Sequence, residues 1–205
     1  MEGYTTIAGL GTFEYEDRKS VFIGLARPVS TEEEALGFLA AVKKKYPDAR
    51  HHVYAYVLRE NGTTRFSDDH EPQGTAGMPV LDAIRKRGLT DVAIVVVRYF
   101  GGTLLGTGGL VRAYTEAAVG ALDAGRIVTL EVCLSCEISL SYGEYQRFLP
   151  LAELHGFRVE NTEYSDGVRI FGCIRKDLYD AFQRALSDMA GGRELASVTG
   201  EKFSY

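Results

Sequence analysis

The chain has 205 residues, 45% of them hydrophobic and 25% charged, and a formal net charge of −5. That composition belongs to a globular protein of one large or two small domains, and the acidic balance excludes a globally basic nucleic-acid binder, so any such contact has to be local. No apolar run approaches the roughly 20 residues of a membrane span, and the N-terminus MEGYTTIAGLG lacks the basic-then-apolar order of a secretory signal, so the expected location is the cytoplasm.

In chain order, strand-like segments come first, at 4–8, 11–15 and 20–26. Thr31 suits a helix N-cap, and Glu34 stands at the reciprocal position of a capping box. Apolar residues then recur at helical spacing until Pro47 and Asp48. HHVYAYVL, 51–58, reads as a strand, Asn61-Gly62 as a turn, and 65–67 as the return. Pro79 fits the first turn of a helix reaching about Arg87. Residues 91–97 form a continuous apolar strand, the mark of burial on both faces. A helix follows over 109–124.

The pattern beyond is shorter and more regular: strand 133–141, helix 143–155, strand 157–164, a turn at Ser165-Asp166-Gly167, strand 168–174, helix 177–190, strand 193–205. This βαββαβ order is ferredoxin-like. The expected fold class is α+β, with a β-rich α/β domain over 1–131 and the ferredoxin-like domain over 132–205.

The least ordinary stretch is VVVRYFGGTLLGTGGLVRAY, 95–114. Gly101, Gly102, Gly106, Gly108 and Gly109 lie between a buried strand and a helix. In open α/β sheets ligands bind at that edge, and a helix N-terminus offers unpaired N–H groups and partial positive charge to an anion. Thr107 adds a hydroxyl, and Arg98 and Arg112 add charge-assisted donors. Nucleotide motifs fail: Gly101 and Gly106 have the outer spacing of a Walker A loop, but Thr107 stands where its lysine belongs, and there is no GxGxxG. A tight strand-to-helix connection is the alternative. Gly74-Thr75-Ala76-Gly77 repeats the Gly-Thr-small-Gly order of 106–109 before another helix, so the two helix N-termini are candidates to converge on one polyanion.

FSDDHEPQG holds Asp68, Asp69, His70 and Glu71, with His51 and His52 on a nearby strand. Adjacent strand residues point to opposite faces, so both histidines cannot serve one site. No HExxH or zinc spacing is present, and neither a metal nor another cofactor is expected. This loop either forms a polar cluster with a histidine or pairs with Arg98 or Arg112. Cys133 and Cys136 form a lone CxxC inside a strand, where positions three apart face opposite sides. With Cys173 they are too few for a disulfide framework. No nucleophile elbow marks a catalytic serine, and no catalytic residue is assigned.

These stretches, together with DRKSVFIGLARPV at 17–29, resemble the IMPACT family in its bacterial YigZ-type form, in detail over about residues 4–130 and in position and pattern over 133–205. The resemblance implies an N-terminal domain shared with the second domain of a small-subunit ribosomal protein and with GHMP-type kinases. It also implies a ferredoxin-like C-terminal domain similar to late domains of elongation factor G. Eukaryotic members regulate translation through a protein partner that bacteria lack, so that partner does not transfer. What transfers is the pattern itself: His51, His52, Asp68, Asp69, Glu71, Gln73 to Gly77, Arg98, Gly101, Gly102, Gly106 to Gly109 and Arg112. The family pattern has glycine where this chain has His70; if the loop needs a positive φ there, histidine tolerates it less easily.

The leading functional expectation is a non-enzymatic, translation-associated protein that binds RNA or another polyanion, or a ribosome-associated factor, through the glycine-rich helix N-termini with Arg98 and Arg112. Two others stand beside it: a hydrolase-type enzyme using Asp68, Asp69, Glu71 and His51 or His52, and a protein-interaction module.

Overall fold

The computed structural model of the chain describes residues 3–204. They form two compact units, residues 4–129 and residues 130–204 with Gly3. Each is α+β with antiparallel pairing throughout its sheet.

The first unit contains β1 (Tyr4–Ile7), β2 (Gly11–Asp17), β3 (Ser20–Pro28), α1 (Glu32–Lys45), β4 (His51–Val57), β5 (Thr64–Ser67), α2 (Gly77–Arg85), β6 (Val92–Tyr99) and α3 (Gly106–Ala124). Its sheet runs β2-β3-β6-β4-β5. Alternation along the central strand β6 explains its unbroken apolar sequence. Val92, Ile94 and Val96 enter the core shared with α2 and α3, whereas Ala93, Val95 and Val97 enter the core shared with α1. Arg98, the next even position, therefore turns toward α2 and α3. The sheet is not the open parallel kind whose edge binds ligands, and β6 runs two residues past the expected end, so Arg98 lies inside the strand.

Helix starts depart from expectation for local reasons. Thr31 does cap α1, its hydroxyl accepting from the Glu34 amide at 3.2 Å. The reciprocal bond slips by one residue, because the Glu34 carboxylate accepts from Ser30 N at 2.6 Å. α3 begins at Gly106 instead of 109. Gly106 has φ 71°, a left-handed entry that favours glycine, and Thr107, Gly108 and Gly109 follow it in the first turn.

The second unit contains most of β7 (Ile127–Leu140), then α4 (Tyr142–His155), β8 (Arg158–Tyr164), β9 (Val168–Arg175), α5 (Tyr179–Met189) and β10 (Ala196–Ser204). Strand order is β1-β7-β9-β8, with β10 also paired to β7. Phe148 and Ala152 of α4 and Phe182 and Leu186 of α5 pack on Leu134, Cys136, Ile138, Ile170 and Ile174. Cys136 faces this core; Cys133 is not part of it and lies within 3.4 Å of an Arg158 nitrogen. All three cysteines are free thiols. Ser141 and Glu144 form a full capping box at the start of α4, and Arg193 pairs with Glu144. Tyr205, the last residue expected in the final strand, lies outside the described residues. Among the described residues no helix is long and apolar enough to cross a membrane.

Candidate functional site

Strand register sets the floor of the site. Phe22 on β3, Arg98 on β6 and His51 on β4 are direct neighbours, all on the face that α2 and α3 cover. Arg98 is only 6% exposed, and a charge so placed requires a partner. It finds Glu71, where Nη1 donates to Oε1 over 2.6 Å. The same oxygen accepts the Tyr114 hydroxyl of α3 at 2.8 Å. Burial first, and then the Glu71 carboxylate, push the Tyr114 phenol well above its ordinary pKa and keep it a donor. The Arg98 guanidinium lies 5.4 Å from the Phe22 ring centre, and Tyr114 meets that ring edge-on at 5.1 Å.

His51 completes the cluster. Its Nδ1 is 2.7 Å from the Asp69 carbonyl; a carbonyl only accepts, so Nδ1 carries the proton. Nε2 then faces Glu71 Oε1 at 3.7 Å. His52 points the other way, its Nε2 2.9 Å from the Tyr46 carbonyl, which is the division that strand alternation requires.

The other two carboxylates are occupied by backbone amides. Asp68 accepts from Gly74 N at 2.9 Å, Ala76 N at 3.1 Å and Gly77 N at 2.8 Å. It thereby fills the N-terminus of α2 from within the chain. Asp69 accepts from His52 N at 2.6 Å. The Thr75 hydroxyl donates to the Pro72 carbonyl at 2.7 Å. Arg98 therefore pairs with neither Asp68 nor Asp69 but with Glu71. The donors of Gly74, Thr75 and Gly77 end on their own loop, and those residues do not line the cavity described next.

α3 is different. Its N-cap residue, Leu105, makes no side-chain cap hydrogen bond, and its first turn holds no acid. A cavity of about 390 Å³ opens there. Arg98, Glu71 and His51 form one side, Gly106 and Thr107 another, and Phe100, Leu104 and Leu110 an apolar wall; Arg50, His70 and Pro72 are also at its border. Arg98 Nε is shut off from solvent, and it finds no acceptor among the described residues. A helix N-terminus and a guanidinium that line one cavity form a host for an anion. Arg112 stays outside, largely exposed and 3.5 Å from Asp17. Among the described residues, no three His, Cys, Asp or Glu side chains are grouped to hold a metal ion.

Gly101 ties this region to the β2–β3 turn. Its amide donates to Ser20 Oγ at 3.1 Å. A Cβ at Gly101 would fall 2.1 Å from the Lys19 carbonyl carbon, so only glycine fits there.

Sequence comparison places the chain. The family model of the Impact N-terminal domain matches residues 18–122, and that of a domain of unknown function (DUF1949) matches residues 138–193. The chain is 34% identical over 197 residues to IMPACT family member YvyE of Bacillus subtilis (strain 168), which covers 94% of this chain and 89% of that protein. The chain belongs to the IMPACT family. It is also 35% identical over 195 residues to IMPACT family member YigZ of Escherichia coli (strain K12), covering 82% of this chain and 96% of YigZ. A solved structure, "Crystal structure of an hypothetical protein", is similar at 30% identity with a TM-score of 0.62, covering 98% of each chain.

Within this IMPACT family chain, the loop takes positive φ at His70, where the sequence reading expected a family glycine. Asp69 and His70 have φ 42° and 69°, a conformation that costs a non-glycine residue roughly 1 kcal/mol or more. The double left-handed step turns the chain so that Glu71 faces Arg98 while His70 stays exposed at the cavity border. Two contributors had no role in the sequence reading: Tyr114, read only as part of a helix face, and Phe22. Strand parity carried part of the signal, since Phe22 alternates with the same buried face of β3 as Ala26.

Proposed function

We propose that this chain is a non-catalytic, translation-associated regulatory protein of the cytoplasm that binds a phosphate group of RNA in the cavity at the start of α3. The observation that carries this reading is that the Arg98 guanidinium and the start of α3, whose N-cap residue Leu105 makes no side-chain cap hydrogen bond, line one cavity. An anion there lies against the Arg98 guanidinium and the helix N-terminus, and the low dielectric around Arg98 strengthens the contact. Arg50 adds a second guanidinium at the mouth. The resemblance to proteins that act in translation, and a reading of the two units as ribosomal-protein-like and ferredoxin-like, point to RNA; the fold analogy alone is associational.

Binding fits better than hydrolysis. Asp68 and Asp69 are consumed by backbone amides, and Glu71 already accepts from Arg98 and Tyr114. His51 Nε2 keeps a lone pair but faces Glu71 Oε1 at 3.7 Å, and a general base needs one aimed at substrate.

The test is NMR titration of the full chain with inorganic phosphate and with RNA. Expected shifts centre on the amides of Gly106, Thr107 and Gly108 and on Arg98 Nε–H. Resonances at α3 that stay fixed while RNA binds elsewhere refute the site. Arg98→Ala is a poor probe, because it leaves Glu71 buried and unpaired.

A further inference from the structure

We infer that the cavity takes one unstacked nucleotide of single-stranded RNA and that the next phosphates of the strand pass over the Arg18-Lys19 turn; this rests on the anion-binding reading above. The cavity, about 390 Å³, lies at the small end of ligand sites. It accepts a nucleotide-sized group and excludes a duplex. Its two sides differ in chemistry. Gly106, Thr107 and Arg98 line it together with an apolar wall in which Phe100 is 41% exposed and Leu104 is 82% exposed. A ligand that matches both is a charged group joined to a flat apolar one, that is, a phosphate joined to a base. Phe100 also lies under two guanidinium groups, Arg50 at 5.8 Å and Arg98 at 5.7 Å from its ring centre. Aromatic rings and arginine planes are the surfaces on which unpaired bases stack. In a duplex the bases are stacked on one another and do not reach such a wall.

The neighbouring turn supplies the continuation. Arg18 and Lys19 are exposed, and both sit at left-handed φ, 46° and 65°, in a two-residue hairpin turn where Asn-Gly is the usual choice. Gly101, next to Phe100, packs directly on the Lys19 backbone and bonds Ser20. The turn is therefore anchored beside the apolar wall with two cations at its tip. Nearby, Asp17 pairs with Arg112, not with either of them.

The test compares a short single-stranded RNA with a duplex of the same sequence by fluorescence anisotropy over a salt series, with uridine monophosphate as competitor. Single-stranded RNA is expected to bind at least about tenfold tighter than duplex, the contribution of one base stacked on an aromatic side chain. Arg18→Ala/Lys19→Ala is expected to flatten the log–log salt dependence by about 1.4, at roughly 0.7 per lost single-strand phosphate contact. The same variant leaves uridine monophosphate affinity unchanged. Leu104→Ala, at an exposed position that the fold does not need, weakens uridine monophosphate more than inorganic phosphate. Equal affinity for duplex, or an unchanged salt slope in the double variant, overturns the inference. If phosphate still shifts the Gly106 and Thr107 amides in that case, the anion site stands alone. If phosphate, uridine monophosphate and RNA all leave those amides unmoved, both readings fail.

Discussion

Replacing Glu71 by leucine tests whether the polar floor of the cavity is one coupled unit. Glu71 and Arg98 side chains are 4% and 7% exposed, with 2.6 Å between Oε1 and Nη1. Removing the carboxylate leaves a guanidinium buried without a counter-charge, a loss of about 3–5 kcal/mol. It also strips the Tyr114 hydroxyl, 0% exposed as a residue, of its acceptor. Against a typical total of about 5–15 kcal/mol, this change alone can unfold the unit. Arg98→Met should be nearly as damaging, because it leaves the Glu71 carboxylate uncompensated. The double variant Glu71→Leu/Arg98→Met removes both charges. Its remaining cost is the unpaired Tyr114 hydroxyl, about 1–3 kcal/mol, less than either single change. The assay is urea unfolding of the four proteins followed by NMR at the β6 amides. That readout reports the 4–129 unit by itself; the chain has no tryptophan, and two units need not unfold together. Single variants that cost under about 1 kcal/mol, or a double variant as unstable as the sum of the singles, refute a buried, mutually dependent pair.

Asp68→Ala should destabilise the same unit by about 1–2 kcal/mol, since it strips the acceptor from three amides at the entry to α2; added divalent metal should not restore the loss, and restoration seen by thermal denaturation would contradict the capping role. Tyr114 has its folded pKa raised above the ordinary value of 10.0, so its contribution is present in full below pH 10 and is lost as pH rises beyond it, by up to about 1.4 kcal/mol per pH unit. Tyr114→Phe should flatten that alkaline slope in urea midpoints measured across pH 9–12. Burial pushes the Cys136 thiol up to about 11, and Cys133 and Cys173 are also buried. Iodoacetamide at neutral pH should therefore leave all three unlabelled in the native protein by mass spectrometry, and fast labelling of Cys136 would show that its strand opens.

Much of the site was legible residue by residue. Arg98, Glu71, His51, Gly106 and Thr107 were all candidates, and strand alternation separates His51 from His52 without any coordinates. The pairing was not legible. Sequence order makes Asp68, Asp69 and Glu71 equivalent partners for Arg98. Two consecutive left-handed residues, Asp69 and His70, decide which carboxylate turns inward. The apparent twin loops at 74–77 and 106–109 illustrate the same limit. Both precede helices and both carry Gly-Thr-small-Gly, yet Asp68 fills one N-terminus while the N-cap residue of the other, Leu105, makes no side-chain cap hydrogen bond. The capping box at Ser141 and Glu144 was readable from the S-x-x-E spacing, and applying that rule would have started α4 one residue earlier.

The amino-acid order alone determined the elements, the βαββαβ second half, the burial of β6 on both faces and the family. These follow from periodicity, turn chemistry and long specific motifs, all of which act over neighbouring residues. Tertiary structure decided the antiparallel order β2-β3-β6-β4-β5, the Arg98–Glu71–Tyr114 cluster and the anchoring of the Arg18-Lys19 turn against Gly101. Each of these depends on residues far apart in sequence meeting in one register, and hydrophobic pattern specifies which face is buried, not which distant side chain waits there.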